Sequence, residues 1–265
     1  NALTNQNGYT YVAWAWKAGG SPSSNSNGTI TSSVSANTTY GFSVVTYTGN
    51  STAGSTVGHG LSTAPSLIYI KNRSRAANWA VGHSGVNGFA NGNQLRLNTD
   101  GAVASSEEWF NDTSPTSSVF TVKNNYEVNY SGDNYVAYCW SEVSGFSKFS
   151  SYSGSGSTGN AITTGFKPRF LLLKNASLSE NWLIIDSERG DNLLFANLSN
   201  AEASSDVVDF TDNGFTLKQT GSASNASGST YIYAAFADRP AVEEIDSLFD
   251  SPTNGSQSDT GAGGE

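Results

Sequence analysis

The chain has 265 residues, a net charge of −9 and only 13% charged side chains, against about 25% in ordinary globular proteins. The acidic balance excludes the basic footprint that nucleic-acid binding needs. No run approaches the roughly 18–20 apolar residues of a membrane-spanning helix, and the single Cys139 excludes an internal disulfide framework.

From the N-terminus, Tyr11-Val12-Ala13-Trp14-Ala15-Trp16 has the composition of a strand. It is the first of three versions of one segment, followed by Tyr135-Val136-Ala137-Tyr138-Cys139-Trp140 and Tyr231-Ile232-Tyr233-Ala234-Ala235-Phe236. Residues 11–16 are predicted to be the closing strand of an upstream repeat, paired with a strand of this chain or a neighbour, because an isolated apolar strand exposes an open edge. Cys139 stands where the other versions have alanine, so it reads as a small core residue.

Next come short apolar or aromatic runs at 42–47, 67–70, 170–173 and 231–236. Their length and their β-branched or aromatic content favour strands over helices. Turn dipeptides separate them, among them Asn27-Gly28, Asn87-Gly88, Asp100-Gly101 and Asn213-Gly214. Two of the runs are copies: Pro65-Ser66-Leu67-Ile68-Tyr69-Ile70-Lys71-Asn72 recurs as Pro168-Arg169-Phe170-Leu171-Leu172-Leu173-Lys174-Asn175, and Asn78-Trp79 recurs at the same offset as Asn181-Trp182. A unit of about a hundred residues is a self-sufficient domain rather than a solenoid repeat.

The predicted fold class is therefore all-β, with two tandem, homologous antiparallel β-sandwich modules. Residues 1–40 are expected to hold the terminal strand of an upstream repeat and a linker. Residues 41–146 form module 1 and residues 147–240 module 2. Residues 241–265 are expected to be a short helix and linker towards a further domain, since Val242, Ile245 and Leu248 share a helical face. With no Met and with a Gly-Gly-Glu terminus, both ends read as cut from a longer polypeptide.

The catalytic inventory is thin. His59 and His83 are the two histidines. Neither lies in a nucleophile elbow, and both read as turn or surface residues. Glu107 and Glu108 are adjacent, so on a strand they point to opposite faces and make no acid/base pair with each other. Glu180 and Asp186 flank Trp182, and nothing equivalent recurs in the other copy. No catalytic residue is predicted. Turns such as Asn98-Thr99-Asp100-Gly101 and Ser131-Gly132-Asp133-Asn134 offer oxygens of the kind Ca²⁺ takes but lack the terminal Glu of an EF-hand. Their composition suits ordinary Asx turns, so no metal or other cofactor is expected. Trp79 and Trp182 repeat at equivalent places and are expected in the core, where two copies solve one packing problem. Trp109 stands in one copy only, in Glu107-Glu108-Trp109-Phe110-Asn111, and is the one candidate for stacking on a sugar ring.

The series Tyr11-Val12-Ala13-Trp14-Ala15-Trp16-Lys17-Ala18-Gly19-Gly20, Gly28-Thr29-Ile30-Thr31-Ser32-Ser33-Val34 and Gly41-Phe42-Ser43-Val44-Val45-Thr46-Tyr47 resembles virion structural and tail-fibre proteins of marine phages. The likeness continues through Lys71-Asn72-Arg73-Ser74, Thr113-Ser114-Pro115-Thr116 and Val143-Ser144-Gly145-Phe146 to Ser247-Leu248-Phe249-Asp250, which in similar proteins leads into a lectin-like sandwich. The resemblance implies a non-enzymatic spacer of a phage appendage, located on the virion. Its implied partners are other copies of itself in a homotrimer, other virion proteins and a host surface glycan. It supplies no catalytic residues. A polysaccharide-degrading fibre enzyme and a bacterial surface adhesin are the alternatives.

Overall fold

The computed structural model describes residues 7–90, 92–104 and 109–238. The strands in chain order are β1 (Ser23–Asn25), β2 (Ser32–Asn37), β3 (Phe42–Thr48), β4 (Ser55–Gly58), β5 (Leu67–Asn72), β6 (Trp79–His83), β7 (Leu95–Arg96), β8 (Val119–Val122) and β9 (Asn134–Trp140), then β10 (Ser147–Ser153), β11 (Asn160–Thr163), β12 (Pro168–Asn175), β13 (Leu183–Asp186), β14 (Asn192–Phe195), β15 (Ala203–Ser204), β16 (Val208–Thr211), β17 (Gly214–Leu217) and β18 (Thr230–Ala237). One 3₁₀ turn, Ser84–Val86, is the only helical element among the described residues. All named strand pairs are antiparallel. The chain is an all-β protein built of sandwiches.

A large sheet in the order β1-β2-β3-β9-β5-β6-β7 faces the small sheet β4-β8 in the first half, and β10-β18-β12-β13-β14-β15 faces β11-β17-β16 in the second. The run β3-β9-β5-β6-β7 has the same order as β10-β18-β12-β13-β14, and the registers coincide. Asn72 pairs with Tyr135 as Asn175 pairs with Tyr231, and Tyr47 pairs with Tyr135 as Tyr152 pairs with Tyr231. Each tyrosine pair is stacked, at 5.1 Å and 5.0 Å between centroids. Glycine closes the first strand of each set, Gly49 and Gly154, because a side chain there would run into the carbonyl of Tyr130 or Ala226.

One core fills each sandwich: Val45, Ile70, Trp109, Phe110, Phe120 and Tyr135 in the first, Leu171, Leu173, Leu183, Phe215, Leu217 and Tyr231 in the second. A third core joins them. Phe42, Leu67, Val81, Leu95 and Trp140 from the outer face of the first large sheet meet Phe149, Leu172, Trp182, Ile232, Ala234 and Phe236 from the outer face of the second. The layers run small, large, large, small. Both faces of β12 and of residues 67–70 in β5 are consequently covered, which is why Leu67-Ile68-Tyr69-Ile70 and Phe170-Leu171-Leu172-Leu173 are continuous apolar runs rather than alternating ones. Hydrogen bonds also cross the junction, among them Trp182 Nε1 to Arg96 O at 3.0 Å and His83 Nε2 to Tyr233 O at 3.0 Å.

The N-terminal expectations need two corrections. Residues 23–37 are not linker: β1 and β2 extend the first large sheet beyond β3. Residues 11–16 belong to no strand. They lie over the end of the junction, where Trp16 makes edge contacts with Trp140, Phe170 and Phe236, and Trp14 contacts Phe170 and donates Nε1 to Asp186 at 3.2 Å. Alternating aromatics produce a strand-like pattern whether an extended segment lies on a ladder or on an apolar seam. The helix expected within 241–265 lies outside the described residues.

Trp79 also departs from expectation. Trp182 is 2% exposed, whereas Trp79 is half-buried, stacked on Tyr138 at 6.2 Å with Lys71 over its ring at 5.8 Å. The junction covers one copy of the site and leaves the other partly open. Trp182→Ala should cost about 3–5 kcal/mol and Trp79→Ala less than about 2 kcal/mol. Urea unfolding midpoints of the two variants check this, and equal losses would mean that both rings have the same surroundings.

Candidate functional site

The histidines are structural. His59 is fully buried, its Nδ1 accepts Leu61 N–H at 3.1 Å, and its Nε2 therefore carries the proton donated to Thr116 O at 3.1 Å. His83 repeats the device: Nδ1 accepts Gly85 N–H at 3.0 Å, and Nε2 donates to Tyr233 O across the junction. Their counterparts in the second half play the same turn-closing part. Thr164 Oγ1 accepts Phe166 N–H, and Asp186 Oδ1 accepts Glu188 and Arg189 N–H. Burial lowers the pKa of both rings, that of His83 to about 4, against a smaller upward pull from the carbonyl each one bonds.

The carboxylates are committed in the same way. The Arg75 guanidinium holds the Asp133 carboxyl below the usual range, and Asn72 adds a bond at 2.8 Å. Asp186 takes Arg189 Nε at 2.7 Å as well as Trp14. Burial raises its pKa, yet these partners pull it down further, and the net shift is downward. Asp100 lends its backbone carbonyl to Glu180 N–H. Among the described residues, no group of three His, Cys, Asp or Glu side chains is placed to hold a metal ion. Glu107 and Glu108 lie outside the described residues. Cys139 is buried, and burial pushes its thiol pKa up.

Trp109 is not available to a sugar. Its ring is 0% exposed in the first core, with the Arg96 guanidinium 5.0 Å from the ring centroid. The backbone explains the absence of a second copy. Trp109 O accepts Lys123 N–H as Val207 O accepts Lys218 N–H, so Val207 holds the matching core place. A polar flank in sequence does not make a residue exposed when the chain there turns inward to close a core.

The surface that stands out is the uncovered part of the first large sheet. The face that buries Phe42, Leu67 and Trp140 in the junction becomes polar further along the same strands. Cross-strand register lines up Ser24, Ser33, Thr46, Val136, Lys71 and Trp79 on β1, β2, β3, β9, β5 and β6. At about 4.8 Å per strand this row is about 24 Å long. A neighbouring row holds Thr48 and Asn134, which pair directly, with Thr31 and Arg73 at its ends. Thr48 Oγ1 donates to Asn134 Oδ1 at 3.1 Å, and Arg73 N–H to Asn134 O at 2.8 Å. These residues line an open groove of about 380 Å³.

The second sandwich has the same positions but closes them. Ile232, Lys174, Trp182 and Ala176 stand where the first has Val136, Lys71, Trp79 and Arg73, and they are 1%, 0%, 2% and 5% exposed. Residues 96–103 of the first half lie over them, with Val103 N–H bonded to Ala176 O. Burial lowers the Lys174 pKa to about 8 against the upward pull of Asp100 and Glu180, and its ammonium donates to Asn175 O and Leu178 O. None of Ser33, Thr46, Thr48 or Arg73 was a candidate site residue in the sequence, and Asn134 was weighed only as part of the turn at 131–134. The signal that finds them is the difference between copies at one position, Arg73 against Ala176 above all.

A family profile, described as "Domain of unknown function (DUF7483)", matches residues 1–240. The chain belongs to the DUF7483 family. The match spans both sandwiches and the N-terminal segment, so the unit the family shares is the joined pair. No curated protein and no solved structure matches the chain.

His83 gives the DUF7483 pair a pH dependence. Its folded pKa of about 4 lies below the unfolded value of 6.5, so its contribution is fully present above about pH 6.5 and is lost as pH falls towards 4. Each tenfold change in proton affinity is worth about 1.4 kcal/mol, so the loss is about 3 kcal/mol. The physical cause is the desolvation of a charged ring buried in the junction, where a proton on Nδ1 would also face the Gly85 N–H. Urea unfolding at pH 7 and pH 4.5 measures the slope, which should flatten in His83→Gln. An equal slope in that variant would assign the effect elsewhere.

Proposed function

We propose that this DUF7483 protein is a structural and adhesive component of a phage virion, a tail fibre or other appendage, in which the joined sandwiches act as a stiff spacer. The observation that carries the reading is the third core: two copies of one sandwich are joined through a shared apolar junction into one block. Such a block suits transmission of position along an appendage. Both histidines, Asp133 and Asp186 are occupied in holding turns and loops, which suits a scaffold better than an acid/base catalyst. The resemblance of residues 11–20, 28–37, 41–49, 71–74 and 78–79 to marine phage virion proteins supplies the particle. By the same resemblance, the working form is a homotrimer contacting other virion proteins and a host surface glycan.

Gold-labelled antibody against the chain, applied to intact particles of a phage that encodes it, is the direct test. Label should sit on an appendage in several copies per particle. Purified infectious particles without the chain would end the reading. A reducing-end assay on host envelope polysaccharide tests the enzymatic alternative, and the proposal expects no turnover above the buffer rate.

A further inference from the structure

The open polar face of the first large sheet is a binding platform for an acidic saccharide, we infer from its chemistry and its difference from the buried copy. The inference takes only the choice of a saccharide from the proposed function. The platform offers the two kinds of group a carbohydrate chain uses. Hydroxyls of Ser24, Thr31, Thr46 and Thr48 and the Asn134 amide present hydrogen-bonding partners along the groove, and the half-open Trp79 ring closes one end of the longer row. Its charge is of one sign. Arg73 and Lys71, whose ammonium also donates to Ala77 O, lie on the two rows and no carboxylate does, on a chain whose net charge is −9. The nearby Asp133 is already held by Arg75 and Asn72. Arg73 is exposed and, among the described residues, forms no ion pair. A guanidinium fork with free donors favours a carboxylate or sulfate.

A second copy of the chain is the competing occupant, because the matching face of the second sandwich is covered by protein. The side chains argue against it. Where protein covers the face, the residues are Ala176 and Ile232; the lysine turns onto its own loop in both copies, Lys174 onto Asn175 O and Leu178 O and Lys71 onto Ala77 O. Where the face is open, Ala176 is replaced by Arg73 and the hydroxyl rows extend onto β1 and β2, strands with no counterpart in the second sheet. Packing one sandwich on another does not need these groups, since the second sandwich forms without them.

Isothermal titration of the purified chain with oligogalacturonate, a sulfated galactan oligosaccharide and a neutral cello-oligosaccharide of matched length tests the inference. One or both acidic probes should bind, the neutral one at least about tenfold more weakly. The affinity should fall as salt is raised. Arg73→Ala should lose about tenfold and Arg73→Lys should recover part of it. Arg73 is exposed, so the melting temperature of the variants should match the parent and separate lost binding from lost folding. Binding of neither acidic probe, equal binding of the neutral one, or an Arg73→Glu variant that binds as the parent does would overturn the platform. So would sedimentation showing a dimer of the chain that Arg73→Glu dissolves, which would give the face to a second copy. Because the titration uses the isolated chain, its failure leaves the location on a particle standing, and absence from particles leaves the titration standing.

Discussion

The rest of the molecule depends on the burial of the outer face of each large sheet against the other. A sandwich of this kind has one internal core, and a sheet of five or more strands still presents an outer face. Here those faces carry Phe42, Leu67, Val81 and Trp140 on one side and Phe149, Leu172, Ile232 and Phe236 on the other. Exposed singly, each would be a large apolar patch. Joined, they make the third core and fix the halves relative to each other. The remaining features follow from that contact. The N-terminal tryptophans cover one end of the seam, the 3₁₀ turn at Ser84–Val86 packs beside β10, and His83 reaches a carbonyl of the other half.

Within each half a second device repeats: loops are held by side-chain amides in place of charges. Asn129 bonds Asn50 N–H and Thr52 O as Asn225 bonds Ser155 N–H and Ser157 O. Asn72 and Asn175 each accept two backbone N–H groups of the following turn. Asn98 and Asn197 each accept the N–H of the repeated tryptophan and donate to the asparagine before it. An amide can donate and accept at once, and it can be buried without the desolvation cost of an ion. That explains how a chain with so few charged residues keeps its loop backbones satisfied, and why asparagine is abundant where a more ordinary surface would carry lysine and glutamate.

Fold class was legible because the local signals agreed: short apolar runs, Asx-Gly turns and a duplicated segment all point to antiparallel sandwiches. The duplication alone identifies the strand ending near Lys71 with the one ending near Lys174. The junction was not legible. Residues 67–70 read equally well for a strand buried by its own sandwich and for one buried on both sides by two, and only the second leads to a fused pair. The same ambiguity explains the reading of residues 11–16, whose aromatic alternation serves an irregular segment lying on the seam. Trp109 departs from its sequence pattern for a related reason: the pattern records what flanks a residue along the chain, while Lys123 and Gln94, distant in sequence, fix its backbone inside the core.

Duplication makes it possible to separate packing from function inside one chain. Positions where the copies agree, such as Asn72 with Asn175, Tyr135 with Tyr231 and Trp79 with Trp182, answer to the shared fold. Agreement in residue type need not mean agreement in surroundings, as the exposed edge of Trp79 and the enclosure of Trp182 show. Positions where the copies disagree report what differs between them. In the second sandwich the disagreements fall where protein covers the sheet. In the first they fall on an open face, as the Arg73 guanidinium against Ala176 and the Asn134 amide against Thr230, while the hydroxyls of Thr46 and Thr48 are matched by Ser151 and Ser153. A scaffold that needed only to repeat would have kept that face short and apolar or covered it. That it is instead widened by β1 and β2 and furnished with polar groups is the feature that the requirements of folding leave unexplained.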